Sequence, residues 1–122
     1  MQNISAAELA QYRATAQRRQ AAYQQQQIQR QQLGWQVARQ AAELLQQHFQ
    51  VRRVWLFGSM LEAQRIRSES DIDLAVEGLA DDQYLQAVAE LLDLSAFSVD
   101  LVQMEHASPR LREVIEQKGV EL

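Results

Sequence analysis

The chain has no cysteine, one proline, four glycines and few aromatic residues, and each scarcity removes a class of explanation. Without thiols there is no disulfide, no thiolate nucleophile and no thiolate metal site, and two histidines as distant as His48 and His106 do not suggest zinc. Any bound metal must be held by oxygen. Long apolar runs are missing too: nothing approaches the roughly 18 to 20 residues a membrane span requires. Met1-Gln2-Asn3 has neither the basic start nor the apolar segment of a signal peptide, so a soluble, cytoplasmic protein with no membrane partner is expected. A length of 122 residues leaves room for a single modest core.

Charge is divided along the chain. Through Arg53, seven arginines face only Glu8 and Glu43; from Val54 onward, four arginines and Lys118 face fourteen acids, so the formal net charge of -4 conceals an acidic second half. Nucleic-acid binding rests on clustered Lys and Arg, so direct contact with nucleic acid is not expected there. A basic protein surface is a better partner for that half, and an ordinary charged exterior would give the same composition.

Ser5-Ala6-Ala7-Glu8 has the form of a capping box, which predicts a helix start. Fourteen glutamines follow between Gln11 and Gln47, with no proline and only Gly34 as a breaker. Such a stretch favours helix yet offers only a sparse apolar stripe of Leu9, Tyr12, Tyr23, Ile28 and Leu33. A solvated helix or disordered segment and a docking arm for a partner are both compatible with it. After Gly34, Val37, Ala41, Leu44, Leu45, His48 and Phe49 recur at three and four, as on a helix laid against a core. The chain therefore divides into a helical arm over residues 1–34 and a domain over residues 35–122.

Within that domain, strands are predicted at Arg52 to Phe57, Ile72 to Val76 and Ser98 to Val102. Asp81 or Asp82 is placed as the cap of a helix with Tyr84, Leu85, Val88, Leu91 and Leu92 inward. Ser108-Pro109 and Gly119 bracket a last helix with Leu111, Val114 and Ile115 on one side, and Val120-Glu121-Leu122 adds a short edge strand. These elements make an α/β (α+β) domain with a small mixed sheet flanked by helices. Trp55 belongs to the core, while Trp35 packs on either the core or a partner. Neither histidine has a companion that would make it catalytic.

The chemistry concentrates in two places. Val54-Trp55-Leu56-Phe57 runs into Gly58-Ser59, a small pair that lets backbone approach a ligand, and after eleven intervening residues comes Asp71-Ile72-Asp73. A spacing of two on a strand puts both carboxylates on one face, roughly 6 to 7 Å apart, where they repel unless a cation lies between them. Magnesium (Mg2+) suits carboxylate and phosphate oxygens, and a Gly-Ser turn suits phosphate. Asp100 sits between apolar neighbours on a third strand, and beside the second strand it brings a third carboxylate to the same place. A triphosphate with magnesium and three acids makes a phosphoryl or nucleotidyl transfer centre.

Leu56-Phe57-Gly58-Ser59, Ser70-Asp71-Ile72-Asp73-Leu74 and Val99-Asp100-Leu101-Val102, taken in that order, resemble the minimal nucleotidyltransferases (MNT) of the DNA polymerase beta superfamily. The likeness extends over roughly Val37 to Leu122, including the tail Leu111 to Val120. It implies a polymerase-beta-like nucleotidyltransferase fold, magnesium at Asp71, Asp73 and Asp100, activation of the nucleophile by Asp100, and ATP phosphates held at Gly58 and Ser59. Met60-Leu61-Glu62-Ala63 departs from the arginine- and glycine-containing segment usual in the family; Arg65 or Arg67 would be the substitutes, or plain solvated loop arginines. Stand-alone minimal members resemble the antitoxin half of HEPN–MNT toxin–antitoxin pairs. The resemblance thus implies transfer of AMP from ATP to a tyrosine of a HEPN ribonuclease toxin. An antitoxin that blocks the toxin by binding alone is the alternative, and a small-molecule nucleotidyltransferase is a third reading.

Overall fold

The computed structural model describes residues 3–122; Met1 and Gln2, which open the segment read for a signal peptide, lie outside the described residues. Helix α1 spans Ala6–Phe49 without a break. Its start is the expected capping box, with Ser5 Oγ accepting the Glu8 amide at 3.1 Å. Gly34 does not interrupt it, because its missing side chain is filled from outside: a Cβ there would meet Met60 Sδ at 2.5 Å. The helix ends where Gln50 turns left-handed, with φ of 52°.

Four strands, β1 (Arg53–Phe57), β2 (Ile72–Glu77), β3 (Val99–Gln103) and β4 (Val120–Glu121), form one sheet in the order β3-β2-β1-β4. β1 is antiparallel to both β2 and β4, and β2 is parallel to β3. The sheet is mixed, as the sequence predicts. Its two faces follow from strand alternation. Val54, Leu56, Ile72, Leu74, Val76, Val99 and Leu101 form one face and pack against Ala38, Ala41, Ala42, Leu45 and Phe49 of α1. Small alanines let the helix lie close, and each large side chain fully buried there contributes about 1.5 to 3 kcal/mol. Trp55 and Ala75 form the opposite face with Met104 and with Ile115 of α3 (Pro109–Lys118).

Helix α2 (Tyr84–Leu92) differs from expectation. Asp81–Gln83 make a 3-10 turn before it, so neither Asp81 nor Asp82 caps the helix. Its inward face is Ala87 and Leu91 with partly buried Tyr84 and Val88, while Leu85 is 80% and Leu92 52% exposed. Those two leucines stand about 100° round the helix from the 84/87/88/91 stripe and miss the core. Helix α3 starts as predicted, with Ser108 Oγ accepting the Leu111 amide at 3.2 Å and Pro109 first in the helix. Ile115 is buried and Leu111 partly so, but Val114 faces out. No helix among the described residues is long and apolar enough to cross a membrane.

Candidate functional site

The parallel register of β2 and β3 sets Asp73 opposite Asp100, and the antiparallel register of β1 sets Phe57 opposite Asp73. Neighbouring strands lie about 4.8 Å apart, so these two carboxylates rise side by side from the α3 face of the sheet, at one end. Asp71 precedes β2 by one residue, exposed at the mouth of the same end. The three acids predicted to act together are therefore neighbours, with Asp73 half-buried and the other two exposed. As the side chains stand, no three acids or histidines among the described residues are drawn tightly enough together to enclose an ion.

Burial pushes the Asp73 carboxyl up to about 6, and the charges of Asp100 and then Asp71 push in the same direction. Only Arg65 pulls it back. Of the two arginines considered for the loop, then, Arg65 has its charge within reach of the acids. Arg67 instead lines a groove between the loop and α1 with Tyr23, Gln26 and Arg30.

Directly after β1, Gly58–Leu61 forms a 3-10 turn. Gly58 has φ of 80°, a left-handed conformation, and a Cβ there would collide with the Asp73 carboxylate oxygen Oδ2. Glycine is required twice over, by backbone conformation and by the approach of the turn to the acid. Ser59 follows, half-buried, beside the same carboxylate end.

The loop between the turn and the acids is held from an unexpected side. Gln31 Nε2 and Trp35 Nε1 both donate to the Met60 carbonyl, at 3.1 and 2.9 Å. Buried Gln27 donates through Nε2 to the Gln64 and Ile66 carbonyls at 3.3 and 3.0 Å, and Arg30 donates to the Ser70 carbonyl at 3.1 Å. These residues of α1 satisfy loop carbonyls that would otherwise need water. Trp35 thus belongs to the domain's own packing. Composition leaves a solvated segment and a partner-docking arm both open for these glutamines; the signal that identifies their packing is the spacing 27, 31, 34, 38, which continues the buried stripe 38, 41, 45, 49 toward the N-terminus.

Each histidine has a carboxylate neighbour on the surface, away from the three acids. His106 Nε2 lies 2.7 Å from Asp81 Oδ1 and His48 Nδ1 lies 3.0 Å from Glu90 Oε1. Both pairs are on the surface, and Asp81, freed from the capping role expected of it, is drawn below its ordinary value by His106 and Gln103.

The fold recurs in known proteins. No curated protein matches the chain. Among solved structures, a toxin–antitoxin crystal structure with AMP-PNP aligns with 28% identity and a TM-score of 0.56, over 65% of this chain and 66% of that one. A tri-AMPylated Shewanella oneidensis HEPN toxin in complex with MNT antitoxin aligns with 26% identity and a TM-score of 0.54, over 75% of this chain and 70% of that one. This chain spans just under two thirds of the length of the first. The family model for Polymerase beta, Nucleotidyltransferase matches residues 39–122, which takes in the glycine turn and all three acids. A match over that much of the chain, on the strands that build the acidic end of the sheet, makes the protein a member of the polymerase beta nucleotidyltransferase family.

Proposed function

We propose that this protein is the antitoxin of a HEPN–MNT pair and that it silences its toxin by transferring AMP from ATP to a tyrosine of the HEPN ribonuclease. The observation that carries the reading is the pairing of Asp73 with Asp100 beneath Gly58. A half-buried carboxylate set against two others is unfavourable for folding unless a ligand compensates it, and in the fold itself only the charge of Arg65 does so in part.

The donor set fits magnesium, being all oxygen and lying beside a turn suited to phosphate. Asp71, Asp73 and Asp100 would hold the ion, which when bound supplies charge neutralisation of the triphosphate and acidifies a nearby hydroxyl. Gly58 and Ser59 would receive the phosphates through backbone amides and the serine hydroxyl. Arg65 would balance phosphate charge in place of the arginine absent after Ser59. Asp100, which is exposed, would take the phenolic proton of an incoming tyrosine, whose ordinary pKa is about 10. The phenolate oxygen bonds to the α-phosphorus, the bond to the bridging oxygen breaks, and pyrophosphate leaves. In this reading residues 35–122 carry the chemistry, joined through α1 to the arm of residues 1–34.

The solved relatives support the reading in kind: one contains AMP-PNP and another an AMPylated HEPN toxin. A second reading, inhibition by binding alone, is favoured by the acidic Glu62 where the family carries basic residues close to the serine. The two separate on persistence. Toxin incubated with this protein, ATP and magnesium, then purified away, stays inactive if AMP was transferred; full recovery of ribonuclease activity would establish occlusion instead.

A further inference from the structure

We propose that Arg30 is a positioning residue: its guanidinium joins the two backbone segments that deliver Asp71 and Asp100, fixing the distance between the β2 and β3 acids. This rests on the reading of those acids as the transfer site. Arg30 Nη2 donates to the carbonyl of Ser70, the residue immediately before Asp71. The guanidinium carbon also lies 4.4 Å from the ring centroid of Phe97, three residues before Asp100. Between these two attachments runs the first rung joining the segments, the Ile72 amide to the Ser98 carbonyl at 2.9 Å.

The group is held at a cost. Arg30 Nε is buried and has no hydrogen-bond partner among the described residues, a penalty the fold accepts to keep the guanidinium over the Phe97 ring and its outer nitrogen on Ser70. Lysine cannot reproduce both contacts at once, since its single ammonium is a point charge where the guanidinium spreads its donors over a fork. Arg30 also lies outside residues 39–122, so α1 brings to the acidic site a support that the matched family region does not contain. Gln27, Gln31 and Trp35 fix the middle of the same loop, and Arg30 adds a contact to the segment leading into β3.

The test uses the full chain with Arg30→Met, which keeps the apolar stem, and Arg30→Lys, and makes two measurements on each. Amide hydrogen exchange by NMR reads the Ile72 rung against the β1–β2 rungs, and calorimetric titration reads affinity for Mn2+ alone. In Arg30→Met the Ile72 amide should exchange about tenfold faster relative to the β1–β2 amides, and Mn2+ should bind about tenfold more weakly, with Arg30→Lys between this variant and wild type. A merely structural contribution would accelerate all sheet amides together and leave Mn2+ affinity of the folded protein unchanged; either result overturns the proposal. If Arg30→Met does not fold, Arg30→Lys decides alone: a selective acceleration at Ile72 supports the proposal and its absence overturns it. Failure of the wild type to bind Mn2+ refutes the transfer-site reading, while the exchange measurement still decides the role of Arg30.

Discussion

Asp73 and Asp100 stand opposite each other in the parallel register of β2 and β3, on the sheet face that also carries Phe57 and Trp55. The carboxylates have neighbours of the wrong sign, and Asp73 is half-buried as well. The site is therefore a local liability in the ligand-free protein, and several consequences can be measured.

Protonation should relieve it. Folding raises the Asp73 carboxyl from 3.8 to about 6, so the folded state binds more proton than the unfolded state between those values. Stability contributed by this group is thus present at pH 4 and lost as pH rises through about 6, opposite to an ion-paired carboxylate. Asp73→Asn should melt higher than wild type at pH 7.5, by about 1 kcal/mol once screening of a half-exposed group is allowed for, and should match it at pH 4. Thermal melts at the two pH values check this; equal melting at pH 7.5 would contradict it.

Magnesium should relieve the same repulsion. Cation and proton compete for the same oxygens, so added magnesium should raise the wild-type melting temperature more at pH 7.5 than at pH 5.5. Asp73→Asn should respond much less at either pH. A titration followed by scanning fluorimetry reads both, and an identical response of the two proteins would remove Asp73 from the metal site.

Gly58→Ala should damage the protein by two routes. A side chain at φ of 80° is strained, and its Cβ strikes the Asp73 carboxylate. Together they should cost about 2 to 3 kcal/mol and displace Asp73, as read by denaturant unfolding and by loss of Mn2+ affinity. Wild-type stability in this variant would show that the turn is looser than described.

The glutamines of α1 should fall into two classes. Gln27→Ala removes a buried amide serving two loop carbonyls and should cost about 1 to 3 kcal/mol, whereas Gln17→Ala on the exposed part of the helix should change stability by about 0.5 kcal/mol or less. Denaturant melts of the pair suffice. Equal effects would mean that the clamp on the loop adds nothing.

That division marks where the sequence is legible. Strand alternation in Val54 to Phe57, Ile72 to Val76 and Val99 to Val102 identifies the faces, and with them the common side of Asp73 and Asp100, because burial of one face leaves no freedom in the other. Ser5 and Ser108 are readable because capping is local. Gly34 misleads, since its meaning lies in Met60, twenty-six positions away and packed where a Cβ would be. Gln27 and Gln31 mislead for the same reason: a glutamine bonded to a distant carbonyl has the composition of a solvated one. Leu85 and Leu92 look buried because they are apolar and a full seven residues apart, yet the parallel stripe through Ala87 and Leu91 meets the core. Contacts local in sequence are visible in it; those made by polar groups across the fold are not.

Adenylyl transfer can be read by intact mass spectrometry of a cognate HEPN toxin incubated with this protein, ATP and magnesium. Wild type should add the mass of one or more AMP groups, and the double variant Asp71→Ala and Asp73→Ala none, while remaining folded because carboxylate repulsion is removed. Unmodified toxin with the wild type, or full modification by the double variant, would contradict adenylyl transfer at this site.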